Sequence, residues 1–207
     1  NQQSLPAAEA FWTRNLAGFS APTALISEPG ELQKDHGEDG FTAEVLHLDG
    51  AASAALQEFA AKQHITLNTL LQGAWALVLS RYSGEEDVLF GAVVSGRPAA
   101  LEGVEAMVGL FINTLPMRVH APQSEQVLTW LQRVQAEQAE LREYDYSPLV
   151  EIQGWSEVPR KDPLFRSIFL FENYKKDAPL EQLCQSLEIG EVQWFERHNF
   201  PLAAVAI

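Results

Sequence analysis

Cysteine and positive charge are both scarce in this sequence. Cys184 is the only cysteine among 207 residues, which excludes a disulfide within the chain and suits a reducing cytosol. Lysine and arginine number 14 against 28 aspartates and glutamates, for a formal net charge of -14. Such a field repels nucleic acid and anionic membranes, so neither is expected as a partner.

The sequence also lacks a long apolar run and a leader peptide. No run reaches the length needed to span a membrane, and the opening NQQSLPAAEAFW has neither a basic region nor an apolar core. We therefore expect a cytoplasmic protein. A hydrophobic content of 46% is enough to build a core, and the length suits one large domain or one lobe of something bigger. The chain begins and ends as if cut from a longer polypeptide.

Motifs of several common enzyme classes are missing. The sequence has no Gly-x-Ser-x-Gly elbow, no P-loop and no paired zinc-ligand pattern. Its histidines are scattered singly, with no partner at metal-ligand spacing; they are His36, His47, His64, His120 and His198. We predict no metal site in this chain.

The most informative stretch is Val88–Val119. Its first part, Val88–Val94, is apolar except for one glycine, which predicts a strand covered on both faces. Gly96 and Pro98 then end this strand in a Ser-Gly-Arg-Pro corner. A bendable corner beside a buried strand suggests the edge of a channel.

The second part of that stretch contains a polar break. Val104–Gly109 predicts a turn or two of helix, and Leu110–Val119 predicts a second extended run, in which Pro116 favours an edge strand. Asn113 and Thr114 interrupt the apolar pattern. Buried amides and hydroxyls need partners, so this pair either ties two backbone segments together or lines a cavity. The sequence favours the backbone tie.

Helical spacing and strand alternation predict further elements around this stretch. The long helix after Ser124 places Val127, Leu131, Val134, Gln138 and Leu141 on one face. Residues 20–40 predict an exposed connector. The other predicted helices start near Pro6, after Asp49, at Thr66 and after Tyr146, and the other predicted strands are Phe41–Leu48, Phe165–Phe171 and Val192–Trp194.

Several of these segments together resemble a known family. VGLFINTLPMR, preceded by SGRP and by TLNTLLQGAWALVLSRYSGEEDVLFG, is followed in order by YDYSPL, DPLFRSIFLFENY and NFPLAAVAI. This set resembles the condensation domains of nonribosomal peptide synthetases, within the chloramphenicol acetyltransferase-like superfamily. The resemblance covers almost the whole chain. It implies an α/β fold, with a mixed central sheet and helices mainly on one face, that forms one half of a V-shaped pseudo-dimer.

The resemblance also implies a reaction and its participants. Family members join a donor acyl or peptidyl thioester to the amine of an acceptor aminoacyl thioester. Both are held on the phosphopantetheine arms of peptidyl carrier protein domains, and these arms are substrates rather than bound cofactors. The family's HHxxxDG motif lies in the tunnel between two lobes, and it is absent from residues 1–207. The chain is therefore expected to be the C-terminal lobe, without its last elements and inactive alone, with an upstream N-terminal lobe and a neighbouring adenylation domain as partners.

By the same resemblance, one set of residues is expected to line the substrate channel or the junction between the lobes. Gly96 stands at the corner and Asn113 in the polar break, and Tyr146 and Pro148 belong to the YDYSPL segment. The full set is Ser95, Gly96, Arg97, Gly109, Phe111, Asn113, Thr114, Tyr146, Pro148 and Asn173.

Other functional classes remain open on the sequence. The chain resembles the peptide-bond-forming subtype most, but epimerisation and cyclisation domains share much of this half. A catalytically silent recruitment domain of the same fold would be a binding module, and a free-standing acyltransferase would use coenzyme A. The residues upstream of Asn1 distinguish the silent domain, and the neighbouring domains distinguish the free-standing enzyme.

Overall fold

The computed structural model describes residues 4–25, 42–95, 103–172 and 198–207. These residues form five α-helices, four strands and one short 3₁₀ turn. In chain order the elements are α1 Leu5–Asn15, α2 Gly50–Lys62, α3 Leu67–Ser83, β1 Asp87–Val94, the 3₁₀ turn Val104–Ala106, β2 Asn113–His120, α4 Val127–Arg142, α5 Leu149–Trp155, β3 Ser167–Phe171 and β4 Leu202–Ala206. Among the described residues no helix is long and apolar enough to cross a membrane.

The four strands form one mixed sheet in the order β2-β1-β3-β4. β1 is antiparallel to β2 and parallel to β3, and β3 is parallel to β4. Pro116 lies on β2 opposite Gly91, at an end of the described sheet, which is the position in a sheet where proline is tolerated. The predicted α/β class with a mixed central sheet is therefore confirmed, as is the edge position of Pro116.

β1 is the centre of the core. Val88, Leu89 and Phe90 are all fully buried, and because successive side chains of a strand point to opposite faces, both faces of β1 are covered. α3 packs against β1 and β3, α5 packs against β2, and the helices pair as α1 with α5 and α3 with α4. The prediction of a doubly covered strand from its apolar run is confirmed.

The helix starts follow from side-chain capping. Ser4, Asp49 and Thr66 each accept a hydrogen bond from the backbone N–H three residues on, at the starts of α1, α2 and α3. α3 ends at Gly84, whose φ of 76° is the left-handed conformation common after a helix. Ser124 was predicted to cap α4, but the N-cap position is Gln126, with no side-chain hydrogen bond; that prediction was wrong by two residues.

The predicted strand Phe41–Leu48 is not formed. Residues 42–48 have no regular structure, and Val45 and Leu46 are 72% and 87% exposed. Alternation creates an apolar face only where a neighbouring strand and a core are available to cover it, and the described residues place neither there. Local pattern alone could not reveal this.

Other elements are shorter in the structure than the sequence predicted. The second extended run begins at Asn113 rather than Leu110, and Val104–Gly109 forms only a 3₁₀ turn over its first three residues. β3 begins at Ser167, two residues after the predicted start. The predicted strand Val192–Trp194 lies outside the described residues.

Arg118 on β2 holds the end of α1 against the sheet. Its guanidinium binds Asp87 through Nε (3.0 Å) and Nη2 (2.7 Å), while Nη1 donates to the carbonyl oxygens of Asn15 (2.9 Å) and Ala17 (2.8 Å). The hydrogen bond with Asp87 raises the pKa of Arg118. The planar guanidinium has donors pointing in several directions, so it can bind the Asp87 carboxylate and both carbonyl oxygens at once. The single ammonium group of a lysine could not.

We expect Arg118→Met to lower the free energy of unfolding by about 1–2 kcal/mol, because two carbonyls and a half-buried carboxylate lose their donor. Arg14→Met is the matched control, since its ion pair with Glu140 is largely exposed and should contribute less than about 1 kcal/mol. Chemical denaturation of both variants measures the difference. Equal losses would show that Arg118 is an ordinary surface ion pair.

Candidate functional site

A cavity of about 350 Å³ opens at the carboxyl end of β1. Ser95, which was predicted at the channel edge, contributes to its wall. The described lining comes from α3, β1, β2, the end of α4 and the end of β3, and it consists of Asn68, Gln72, Ala92, Val93, Val94, Ser95, Met117, Gln138, Leu141, Arg142, Asp145 and Phe171. A second cavity, of about 390 Å³, lies at the amino end of β1 and contains none of the predicted site residues.

One wall of the cavity at the carboxyl end of β1 is a buried network of amides and a hydroxyl between α3 and α4. Thr69 donates to Gln138 Oε1 at 2.8 Å, and Gln138 Nε2 donates to Gln72 Oε1 at 3.0 Å. Gln72 Nε2 in turn donates to Asn68 Oδ1 at 3.1 Å. All but Asn68 are buried. Buried polar groups stabilise a fold only when they are paired, so this chain of bonds fixes the spacing of the two helices.

The helices can approach this closely because Gly73 has no side chain. A Cβ at Gly73 would lie 2.5 Å from Leu131 Cδ2 and 3.3 Å from the Trp130 ring. Gly73 directly follows Gln72 on α3. The close approach of the two helices at Gly73 therefore lets the side-chain amides of Gln72 and Gln138 reach each other.

The mouth of the cavity carries one positive and one negative side chain. Arg142 is the last residue of α4, and Asp145 follows in the turn toward α5. Partial burial raises the pKa of the Asp145 carboxyl, and the nearby positive charge of Arg142 opposes that shift. Within the described part of the chain, no ion pair joins the two side chains.

Asn113 fixes the backbone on which Asp145 stands. Its side-chain Nδ2 donates to the carbonyl oxygens of Asp145 (2.7 Å) and Ser147 (3.0 Å), and its Oδ1 accepts from the N–H of Thr114 (2.9 Å). The amide thus joins the first residue of β2 to the α4–α5 connection. These bonds are the backbone tie that the sequence favoured for Asn113.

An apolar segment is exposed directly before β2. In the stretch 107–112, Val108 is 103% exposed and Leu110 is 89% exposed, and Met107 and Ile112 are also exposed. Gly109 is exposed as well, whereas Phe111 is half-buried. Consecutive exposed apolar side chains are a feature of surfaces that another protein element covers.

The remaining predicted residues lie on the α4–α5 connection, on β2 or outside the described chain. Tyr146 is half-buried and donates through its hydroxyl to the carbonyl of Ser4 at 3.2 Å. Pro148 is exposed at the N-cap position of α5. Thr114 is half-buried on β2. Gly96, Arg97 and Asn173 lie outside the described residues.

The structure therefore brings together part of the predicted set and adds residues to it. Asn113 bonds to the α4–α5 connection, which also contains Tyr146 and Pro148, and Ser95 lines the adjoining cavity. Sequence reasoning missed the wall residues Asn68, Gln72, Arg142, Asp145 and Phe171. One signal was available, because Gln138 is a polar residue within an otherwise apolar helix face, which indicates a buried partner.

Comparison with known proteins gives consistent matches. A family model described as the condensation domain matches residues 1–206. One of the linear gramicidin synthase subunits of Brevibacillus parabrevis is 48% identical over 99% of this chain and 3% of that protein. Surfactin synthase subunit 3 of Bacillus subtilis (strain 168) is 35% identical over 99% of this chain and 16% of that protein.

The structural similarity is of the same kind. The crystal structure of the X-domain from teicoplanin biosynthesis aligns with a TM-score of 0.63 at 25% identity, over 83% of this chain and 38% of that one. The chain thus spans well under half of that structure and only a small part of the synthase subunits that it matches.

Proposed function

The chain belongs to the condensation domain family, and we propose that it is the C-terminal lobe of a nonribosomal peptide synthetase condensation domain. In the complete domain, the amine nitrogen of an acceptor aminoacyl thioester attacks the carbonyl carbon of a donor acyl or peptidyl thioester. A C–N bond forms, the C–S bond breaks, and the amine proton passes to the departing thiolate. The observation that carries this proposal is the family match along residues 1–206.

The exposed apolar segment supports the assignment of the chain as one lobe. Val108, Leu110 and Ile112 lie directly before β2, close in sequence to Asn113 and its tie to the α4–α5 connection. Leaving several large apolar side chains in water is unfavourable by about 25 cal/mol per Å². In the complete domain, this segment would lie against the N-terminal lobe.

The part that this lobe plays is positional. Proton transfer at the attacking amine needs a base within about 3 Å, and in the family that role belongs to the HHxxxDG motif, which this sequence does not contain. The lobe instead supplies a wall of the tunnel that receives the two phosphopantetheine arms. Holding two reactants in register can lower a barrier by about 7–11 kcal/mol, so a wall without a base is still essential.

We expect the isolated chain to form no amide product above the uncatalysed rate, because both the base and the opposite wall are missing. Supplying the upstream lobe as a separate polypeptide should restore product. The measurement presents carrier domains loaded with donor and acceptor to the chain alone, to the upstream lobe alone and to the mixture. Product is quantified after release from the carrier by mass spectrometry.

Two outcomes and one control separate the hypotheses. Product from this chain alone would show that the catalytic groups lie within it, contrary to the proposal. An upstream lobe with both histidines of its HHxxxDG motif changed to alanine is the control and should give a mixture without activity. A folded mixture that binds loaded carriers but makes no product would contradict condensation and indicate the silent recruitment domain.

A further inference from the structure

The cavity at the carboxyl end of β1 has an unusual balance of polar groups. Arg142 and Asp145 contribute one charge of each sign without pairing with each other. Asn68, Gln72 and Gln138 add three carboxamides, each with hydrogen-bonding capacity beyond the single chain of bonds between them. The polar lining thus offers donors and acceptors at once, with no net charge.

Most of the remaining lining is apolar. Val94 and Met117 come from the sheet, Leu141 from α4 and Phe171 from the end of β3. A ligand in this cavity therefore meets apolar side chains together with mixed donors and acceptors. Pockets of this composition use a few polar groups to orient a mostly apolar ligand.

We propose that this cavity is a subsite for an amide group in the acyl chain undergoing condensation, an inference that rests on the proposed function above. The amide N–H donates to the Asp145 carboxylate and the amide carbonyl accepts from the Arg142 guanidinium. The carbon chain on either side of the amide lies against Val94, Leu141 and Phe171.

The charges favour an amide over other ligands. A free carboxylate would be attracted by Arg142 but repelled by Asp145. An ammonium group would be attracted by Asp145 but repelled by Arg142. A plain hydrocarbon chain would strip water from both charged groups without replacing its hydrogen bonds, which is unfavourable. A neutral group with one donor and one acceptor complements both side chains, and a peptide unit has that arrangement.

Asn113 gives this subsite its rigidity. It holds the carbonyl of Asp145 from the start of β2, while Gln138 in the last turns of α4 is held by α3. The backbone that carries Asp145 and the helix that carries Arg142 are therefore anchored independently. Side chains on a fixed backbone need less reordering when a ligand binds.

The test compares two donors on the same carrier in the restored two-lobe domain. One donor is an N-acetyl dipeptidyl thioester, and the other is its ketomethylene analogue, in which the peptide N–H is replaced by CH₂. We expect kcat/KM to favour the amide donor about tenfold, the discrimination from one hydrogen bond to a charged group. The same pair of groups placed in the acceptor chain distinguishes which thioester occupies the subsite.

Variants then assign the preference to its residues. Asp145→Leu should reduce the preference to near unity, mainly by slowing the amide substrate, whereas Asp145→Asn keeps an acceptor oxygen and should retain part of it. Arg142→Met should weaken both substrates, because the ketomethylene analogue keeps the carbonyl. Glu143→Leu is the control, since Glu143 is the exposed neighbour and lies outside the cavity lining; it should keep the full preference.

The experiment gives different results if the subsite proposal is wrong and if the proposed function is wrong. Amide products formed equally from both substrates, in the donor and the acceptor arms alike, would overturn the subsite and leave condensation standing. A preference that survives Asp145→Leu unchanged would overturn it too. No product from any substrate in the restored domain would overturn the proposed function, and the subsite with it.

Discussion

Asn113→Asp is expected to lower the free energy of unfolding by about 3 kcal/mol, because it places a carboxylate where an amide now donates to two carbonyl oxygens. The change keeps the size of the side chain and keeps Oδ1 as the acceptor for the Thr114 N–H. It replaces only the donor that holds Asp145 and Ser147, 2.7 and 3.0 Å away. Chemical denaturation at neutral pH measures the loss.

The alanine variant separates lost bonds from added repulsion. Asn113→Ala removes the donor without adding charge, so it should cost about 1–3 kcal/mol, less than the aspartate. The carboxyl introduced by Asn113→Asp should have a raised pKa, since the carbonyl oxygens disfavour its ionised form. A group whose pKa is raised on folding is stabilising when protonated, so the deficit of this variant should shrink as the pH falls toward 4.

The control for the Asn113 change is Asn199→Asp, which alters an exposed asparagine and should leave stability within about 0.5 kcal/mol. An Asn113→Asp variant as stable as this control would show that the backbone tie contributes little. Loss of condensation activity in the restored two-lobe domain, at unchanged stability, would instead make Asn113 a substrate contact, and the structural role assigned here would be wrong.

We expect Gly91→Val to lower the free energy of unfolding by a similar amount to Asn113→Asp, because the new side chain would clash with its neighbours. A Cβ at Gly91 would lie 2.4 Å from Phe165 Cε2 and 2.9 Å from Thr114 Cγ2. Phe165 is buried in the core, so a shift of its ring would displace other closely packed side chains. Overpacking a core of this kind costs about 1–3 kcal/mol, and more where the neighbours are held on several sides. We expect a loss of about 3 kcal/mol, at the upper end of that range.

Gly50→Val is the matched control, because nothing lies within 4 Å of a Cβ at that position in the first turn of α2. Its effect should stay within about 1 kcal/mol. A second variant, Gly91→Val with Phe165→Leu, should recover part of the loss by removing ring atoms from the clash. Equal stability of Gly91→Val and Gly50→Val would show that the β1–Phe165 contact is not tight.

Local sequence determined the elements whose causes lie within a few residues. Ser4, Asp49 and Thr66 are capping residues because each side chain reaches the N–H three positions ahead. The apolar run of β1 predicted a strand buried on both faces, and its residues Val88, Leu89 and Phe90 are fully buried. The ordered motifs from SGRP to NFPLAAVAI were enough to indicate the family, which the match over residues 1–206 confirmed.

Only the tertiary structure decided which distant residues meet. Thr69 and Gln138 are 69 positions apart and bond because Gly73 lets α3 approach α4. Asp145 faces a cavity because Asn113, 32 positions earlier, holds its backbone. Residues 42–48 also show that a local pattern does not determine packing. They alternate as a strand would, but they are exposed, and no other described element covers them. A pattern along the chain specifies which face is apolar, whereas the contact that buries it depends on how separate elements pack.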